Sequence, residues 1–246
     1  MEYALQLYSI RDLADKDLEA AMRTTAEIGY KKVEFAGFGN KTAADAAEYL
    51  KKYSLKVVAS HLGLGEVDEE HIEKTIENLK TIGDVNPVVP GISLSTKEKL
   101  DNSIRILNFA QERFAKEGMT LHFHNHFKEF FPNEDGQVPF DELYYRTSLL
   151  FEIDTYWAYS AKRDPVKLID RLAGEGRLKM IHIKDGTGEM KGSAGRPLGL
   201  GSAPVKAVYD KAVELGAEII VESETLTPSG AEEARICFDY LKSLEK

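Results

Sequence analysis

The chain has 246 residues, 43% of them hydrophobic, with a formal charge of -9 and a pI near 5.3, which argues against a nucleic-acid surface, since neutralising phosphates takes clustered Lys and Arg. A single cysteine, Cys237, rules out an intrachain disulfide and a thiolate metal cluster and fits a reducing cytoplasm. The start MEYALQLYSIRD has no basic segment followed by a long apolar one, and no run reaches the length of a membrane span. In chain order, β-branched or aromatic runs alternate with amphipathic ones. YALQLYSI from Tyr3 precedes the helical LEAAMRTTAEIG, KKVEFAGF from Lys31 precedes AADAAEYLKKY, and LKVVASHL from Leu55 precedes IEKTIENLKTIG. NPVVPGIS from Asn86 is followed by KLDNSIRILNFAQERFAKEG, and then come TLHFHNHF from Thr120, LLFEIDTY from Leu149, KMIHIKDG from Lys179 and EIIVESET from Glu218. Several of the helical runs close on Gly, as a helix C-terminus should. Eight strand-plus-helix units at about 31 residues each predict one (β/α)8 barrel over residues 1–246. An open doubly wound sheet is the runner-up, but no GxGxxG turn follows the first strand.

Three of the six histidines, His122, His124 and His126, lie within five residues in TLHFHNHF. Alternation puts them on one strand face, where a row of imidazoles makes a poor apolar core but a good start to a metal site. Asp154, His182 and Glu222 sit near the C-terminal ends of later apolar runs, where parallel α/β folds place their chemistry. Two imidazoles with two carboxylates suit Mn²⁺, Zn²⁺, Fe²⁺ or Co²⁺ better than Ca²⁺. Glu222 and Glu224 share a face and repel unless a cation lies between them or one is protonated, which favours a metal there. Asp154 is also placed to cap the turn before Tyr156 and Trp157, and a buried His122–Glu152 hydrogen bond is expected beneath the site.

Two long loops, HFKEFFPNEDGQVPFD and the Gly-rich DGTGEMKGSAGRPLGLGSAP, follow the fifth and seventh strands. The second offers Lys191 and Arg196 to a polar ligand, or is a flexible surface loop.

The order of SHLG, HNHFKEF, EIDTYWAYSAKRDP, MIHIKDG and IIVESE resembles the xylose isomerase-like TIM barrels of the sugar phosphate isomerase/epimerase superfamily, over nearly the whole chain. The resemblance implies a divalent metal at the C-terminal mouth, commonly Mn²⁺, with Zn²⁺, Co²⁺, Fe²⁺ or Mg²⁺ as alternatives, held by His124, Asp154, His182 and Glu222. Many members carry Glu on the fifth strand, where it binds metal and moves protons; His124 stands there in this chain, in what looks like a subgroup with an HNH-EF signature. A mechanism with two symmetric glutamates therefore does not simply transfer.

Glu129 folding back over the site, or His126 as a base, would supply the second proton-transfer group. Lys184 shares a face with His182 and either neutralises charge on an enediolate or pairs with Glu222 or Glu224. His61 is a candidate partner for a substrate hydroxyl, Glu34 for a substrate or supporting contact, Trp157 for an apolar wall against a sugar ring, and Arg196 for a polar substituent. The expected function is a metal-dependent isomerase or epimerase of a small sugar, keto-sugar or polyol, working through an enediolate. A lyase dehydrating a keto-sugar or keto-inositol and a non-catalytic sugar-binding barrel are the alternatives. No nucleic acid or membrane partner is expected, and homo-oligomer formation is compatible with the sequence.

Overall fold

The computed structural model describes residues 1–245. Strands β1 (Ala4–Gln6), β2 (Lys32–Phe35), β3 (Lys56–His61), β4 (Pro87–Val89), β5 (His122–His124), β6 (Leu150–Asp154) and β7 (Leu178–Ile183) run parallel. After them come the two-residue strands β8 (Asp185–Gly186) and β9 (Gly195–Arg196), and then β10 (Glu218–Val221). β10 pairs with both β7 and β1, closing an eight-stranded barrel, while β8 and β9 form a separate antiparallel ribbon above it. The architecture is the expected (β/α)8 barrel.

Local sequence explains the helices around it. Asp17, Thr42, Thr96 and Ser229 each accept a hydrogen bond from a first-turn N–H, satisfying donors that the helix itself leaves open. The helix Ile72–Ile82 buries Ile72, Ile76, Leu79 and Ile82 at helical spacing and stops at Gly83, whose φ of 76° a side chain would resist. The first strand is shorter than its apolar run suggested: Leu7–Ile10 turn into a 3-10 helix, which brings Tyr8 to the barrel mouth.

Alternation along the strands divides the interior in two. Val33, Phe35, Phe123, Phe151, Ile181 and Val221 face outward into the large apolar layer under the helices. Inside the barrel, only Ala4, Ala59, Val88, Met180 and Ile220 form a small apolar plug. Above that plug the interior is polar: Gln6, Glu34, His124, Glu152, Asp154 and His182 are all buried. Register sets their heights, with Gln6 beside Glu34, His124 beside Glu152, and Asp154 beside His182.

The loop after β7 is not a loose surface segment. Asp185 accepts N–H bonds from Gly186 at 2.8 Å and from Gly199, Gly201 and Ala203 at 3.0 Å each. One buried carboxylate thus gathers both ends of the loop. The loop after β5 contains a 3-10 turn at Lys128–Phe130 and runs into the helix Pro139–Arg146.

Candidate metal centre

A cavity of about 580 Å³ opens at the C-terminal end of the barrel, with His61, His124, His126, Trp157, Glu222 and Glu224 in its wall. At its floor His124, Asp154, His182 and Glu222 each present one ligand atom, all within 4.8 Å of one another. Three adjacent parallel strands and the residue after a fourth deliver them, because their inward positions near the C-terminal ends converge. His124 Nε2 lies 3.8 Å from Asp154 Oδ2, and His182 Nδ1 lies 3.3 Å from Glu222 Oε2. Both ring nitrogens of His124, Nδ1 of His182 and Oδ2 of Asp154 are buried without a hydrogen-bond partner within the protein. Buried donors and acceptors are rarely left so, and three of them, one His124 nitrogen, His182 Nδ1 and Asp154 Oδ2, converging beside Glu222 fit a shared cation. The second oxygen of Asp154 accepts the Trp157 N–H at 2.7 Å. Asp154 therefore caps the helix Thr155–Ser160 and still aims one oxygen at the site.

Electrostatics reinforce the geometry. Burial pushes the Asp154 carboxyl up to about 8 despite the Lys184 charge nearby. Burial also opposes ionisation of Glu222, but Lys184 and His182 overcome it and hold that carboxyl well below the usual range. Burial drives the His124 ring well below the normal imidazole value, so it is a neutral nitrogen donor. A bound dication would favour the ionised form of Asp154 in the same way.

Lys184 takes the second of its two expected roles. Its ammonium lies 3.4 Å from Glu222 and 3.7 Å from Asp154, also pairs with Glu224, and sits 4.6 Å over the Trp157 ring. The repulsion between Glu222 and Glu224 is thus relieved by a lysine from the protein itself. Among the described residues that line the cavity none is Lys or Arg.

A second polar group lies directly beneath. Glu34, His61, Glu152 and His182 also converge within 4.8 Å, with His182 common to both groups. His61 Nε2 is 2.9 Å from Glu152, His182 Nε2 is 2.6 Å from Glu34, and Gln6 donates to Glu34 at 2.7 Å. The His122–Glu152 bond does not form: His122 has no hydrogen-bond partner, and Glu152 is turned to His61 and His182. The register explains this, since Glu152 stands level with His124 and His122 pairs with Leu150 below. Burial pushes the isolated His122 ring down to about 4.

Other candidates fall on both sides of the wall. His61, His126 and Trp157 line the cavity. Glu34 is buried below it and has no surface on it. Glu129 is buried, is pushed up to about 7 by that burial, accepts the His126 N–H at 3.1 Å, and faces an adjoining cavity. It does not fold back over the ligand quartet. Arg196 is exposed and spends its guanidinium on the carbonyls of Ser193 and Gly195, while Lys191 pairs with Glu189; neither lines the cavity. Sequence reading missed Tyr8 and Glu66 at the rim and Gln6 beneath the site. Gln6 was within reach of the parity argument, because it alternates with Ala4 on the inward face.

A sequence profile described as the xylose isomerase-like TIM barrel matches residues 22–244. The chain belongs to that family. No curated protein sequence matches it significantly. Among solved structures, a sugar phosphate isomerase/epimerase from Parabacteroides distasonis superposes with a TM-score of 0.78 at 23% identity, covering 98% of this chain and 93% of that one. The probable 3-DHS dehydratase AsbF of Bacillus anthracis gives 0.76 at 14%, covering 100% and 99%. The IOLI protein, solved with a bound zinc atom, gives 0.75 at 15%, covering 99% and 98%. At these identities the likeness establishes a shared xylose isomerase-like fold, and the chemistry of this member rests on its own side chains.

Proposed function

We propose that this xylose isomerase-like barrel is a divalent-metal-dependent isomerase or epimerase of a small unphosphorylated sugar, keto-sugar or polyol. The observation that carries the reading is the set of unpaired donors on His124, Asp154 and His182, beside Glu222, at the floor of the mouth cavity. Mn²⁺ is the first choice for the ion, and Zn²⁺, which the IOLI structure holds, is the second. When bound, such an ion grips vicinal oxygens and polarises a carbonyl, acidifying the neighbouring C–H.

The protein's own groups supply the remaining functions. Glu222 lines the cavity and is ionised, so its carboxylate is placed to take the proton from that carbon. Lys184 pairs with Glu222 and Glu224 behind the wall and steadies the negative charge of the site, and Trp157 gives the ring an apolar wall. His126 forms part of the same wall and is the candidate for returning a proton to the other face, while His61 offers a hydrogen bond to a hydroxyl. The wall chemistry supports unphosphorylated substrates: an ester phosphate would meet Glu66, Glu222 and Glu224, and among the described lining residues no Lys or Arg offers it a clamp. The reading treats residues 1–246 as one domain and places the enzyme in the cytoplasm, where the buried Cys237 thiol would stay reduced.

A second reading is a lyase. With His124 on the fifth strand, Glu222 is the one carboxylate of the candidate ligand set that lines the cavity, and one-sided proton removal followed by loss of a β-hydroxyl needs no second one. Proton-to-deuterium exchange separates the possibilities. Mn²⁺-loaded protein in D₂O is incubated with ketoses, aldoses, keto-inositols and 3-keto-sugars and followed by NMR. Deuterium next to a carbonyl with a rearranged sugar is the expected result, and deuterium with a dehydrated product selects the lyase. Bound metal with no exchange across the panel would sink the enolising reading in favour of a sugar-binding barrel.

A further inference from the structure

His182 belongs to two convergent groups, but each of its nitrogens can face only one of them. Nε2 is directed at Glu34, 2.6 Å away, with Glu152 at 3.2 Å; Nδ1 is directed at Glu222 and lacks a hydrogen-bond partner. Separations decide which group suits an ion. Ligand atoms on one ion at about 2.1 Å stand roughly 3.0–3.4 Å apart, so contacts of 2.6 Å to Glu34 and 2.9 Å between His61 and Glu152 are hydrogen bonds. The upper group has no contact that short: its spacings are 3.3 Å, within that range, and 3.8 Å, slightly beyond it, and its facing nitrogens are unpaired.

With a hydrogen on Nε2 of each ring, each carboxylate gains one imidazole donor: Glu152 accepts from His61 and Glu34 from His182. Placing the hydrogen of His182 on Nε2 leaves its Nδ1 lone pair free toward Asp154, His124 and Glu222. Glu34 is itself held by the Gln6 amide at 2.7 Å, and Gln6 is fixed in turn by accepting the Tyr8 N–H at 3.0 Å.

We infer that Glu34, anchored by Gln6, is the positioning residue of the metal centre: it fixes the His182 tautomer and aims Nδ1 at the ion. The inference rests on the proposed metal quartet and extends it to β1 and β2, which supply none of the four ligands. A buried anion behind a ligating imidazole also makes that imidazole a stronger donor. It thereby offsets part of the charge lost where His124 stands in place of a carboxylate.

The test uses Co²⁺ as the probe, titrated by visible absorbance into metal-free wild type, Glu34→Gln and Asp154→Asn, each checked for folding by thermal unfolding in chelator. Gln6→Met serves as a second variant, since it removes the anchor of Glu34, together with the Tyr8 cap, while keeping Glu34 itself. Glu34→Gln should weaken Co²⁺ binding by roughly 10–100-fold and shift the ligand-field bands, Gln6→Met should move both in the same direction by less, and Asp154→Asn should weaken binding further. Unchanged affinity and bands in folded Glu34→Gln and Gln6→Met, with binding lost in Asp154→Asn, would overturn the role of Glu34 and leave the quartet standing. Binding lost in Glu34→Gln but retained in Asp154→Asn would move the ion to the lower group and overturn both.

Discussion

Lys184 shows how a single buried side chain balances the site. It is only 2% exposed and lies within 4 Å of three carboxylates. Removing one partner of a buried charged group leaves the others uncompensated, at about 3 kcal/mol or more. Lys184→Met should therefore lower the stability of the metal-free protein by about that amount, seen as a drop in the unfolding midpoint in chelator, and should tighten binding of a divalent ion by removing its competitor for Asp154 and Glu222. An unchanged midpoint would mean that Lys184 is not the counter-ion the geometry makes it. Glu222→Gln should cost more metal affinity than the roughly 10–100-fold typical of an outer partner and should abolish deuterium exchange; near-normal turnover would remove Glu222 from the chemistry. In His124→Glu, a gain of two-sided proton transfer would identify the missing carboxylate as the limiting feature, whereas a loss of metal binding with no exchange would show the imidazole to be required.

At the level of elements, the loop joining β7 to the helix Val205–Leu215 depends on Asp185 and on close approach at Gly201, where a Cβ would stand 2.1 Å from Asp185 Oδ1. Asp185→Asn replaces an acceptor of four N–H bonds by a group that must turn an NH₂ toward some of them, and should cost about 3 kcal/mol. Gly201→Ala should destabilise the same loop, and denaturant midpoints for both variants check the point. The barrel was legible because periodicity of two and periodicity near 3.6 alternate cleanly through the chain. The end of β1 was not, since LQLYSI stays apolar while its backbone tightens into a 3-10 helix. The convergence of His124, Asp154, His182 and Glu222 followed from parity and motif order on β5, β6 and β7 and just past β10, strands that lie in succession around the wall. The pairs Glu34–His182 and His61–Glu152 did not, because each joins strands that are not neighbours in the sheet, and contacts across a barrel axis leave no mark in local pattern. Register, which alternation does not fix, likewise decided the fate of His122.

For the whole molecule, most of the barrel strands meet at one polar layer, so occupancy of that layer should be felt globally. A ligand present at 100 times its Kd adds about 2.7 kcal/mol to stability, which for a chain of this size raises the unfolding midpoint by roughly 5–11 °C. Mn²⁺ added to chelator-treated protein should produce such a shift in wild type and a much smaller one in Asp154→Asn; equal shifts in both would place the ion elsewhere. The Asp185 clamp has a further consequence. A loop tied at both ends to one carboxylate just beyond the strand that carries His182 does not swing as a flap while that carboxylate holds it.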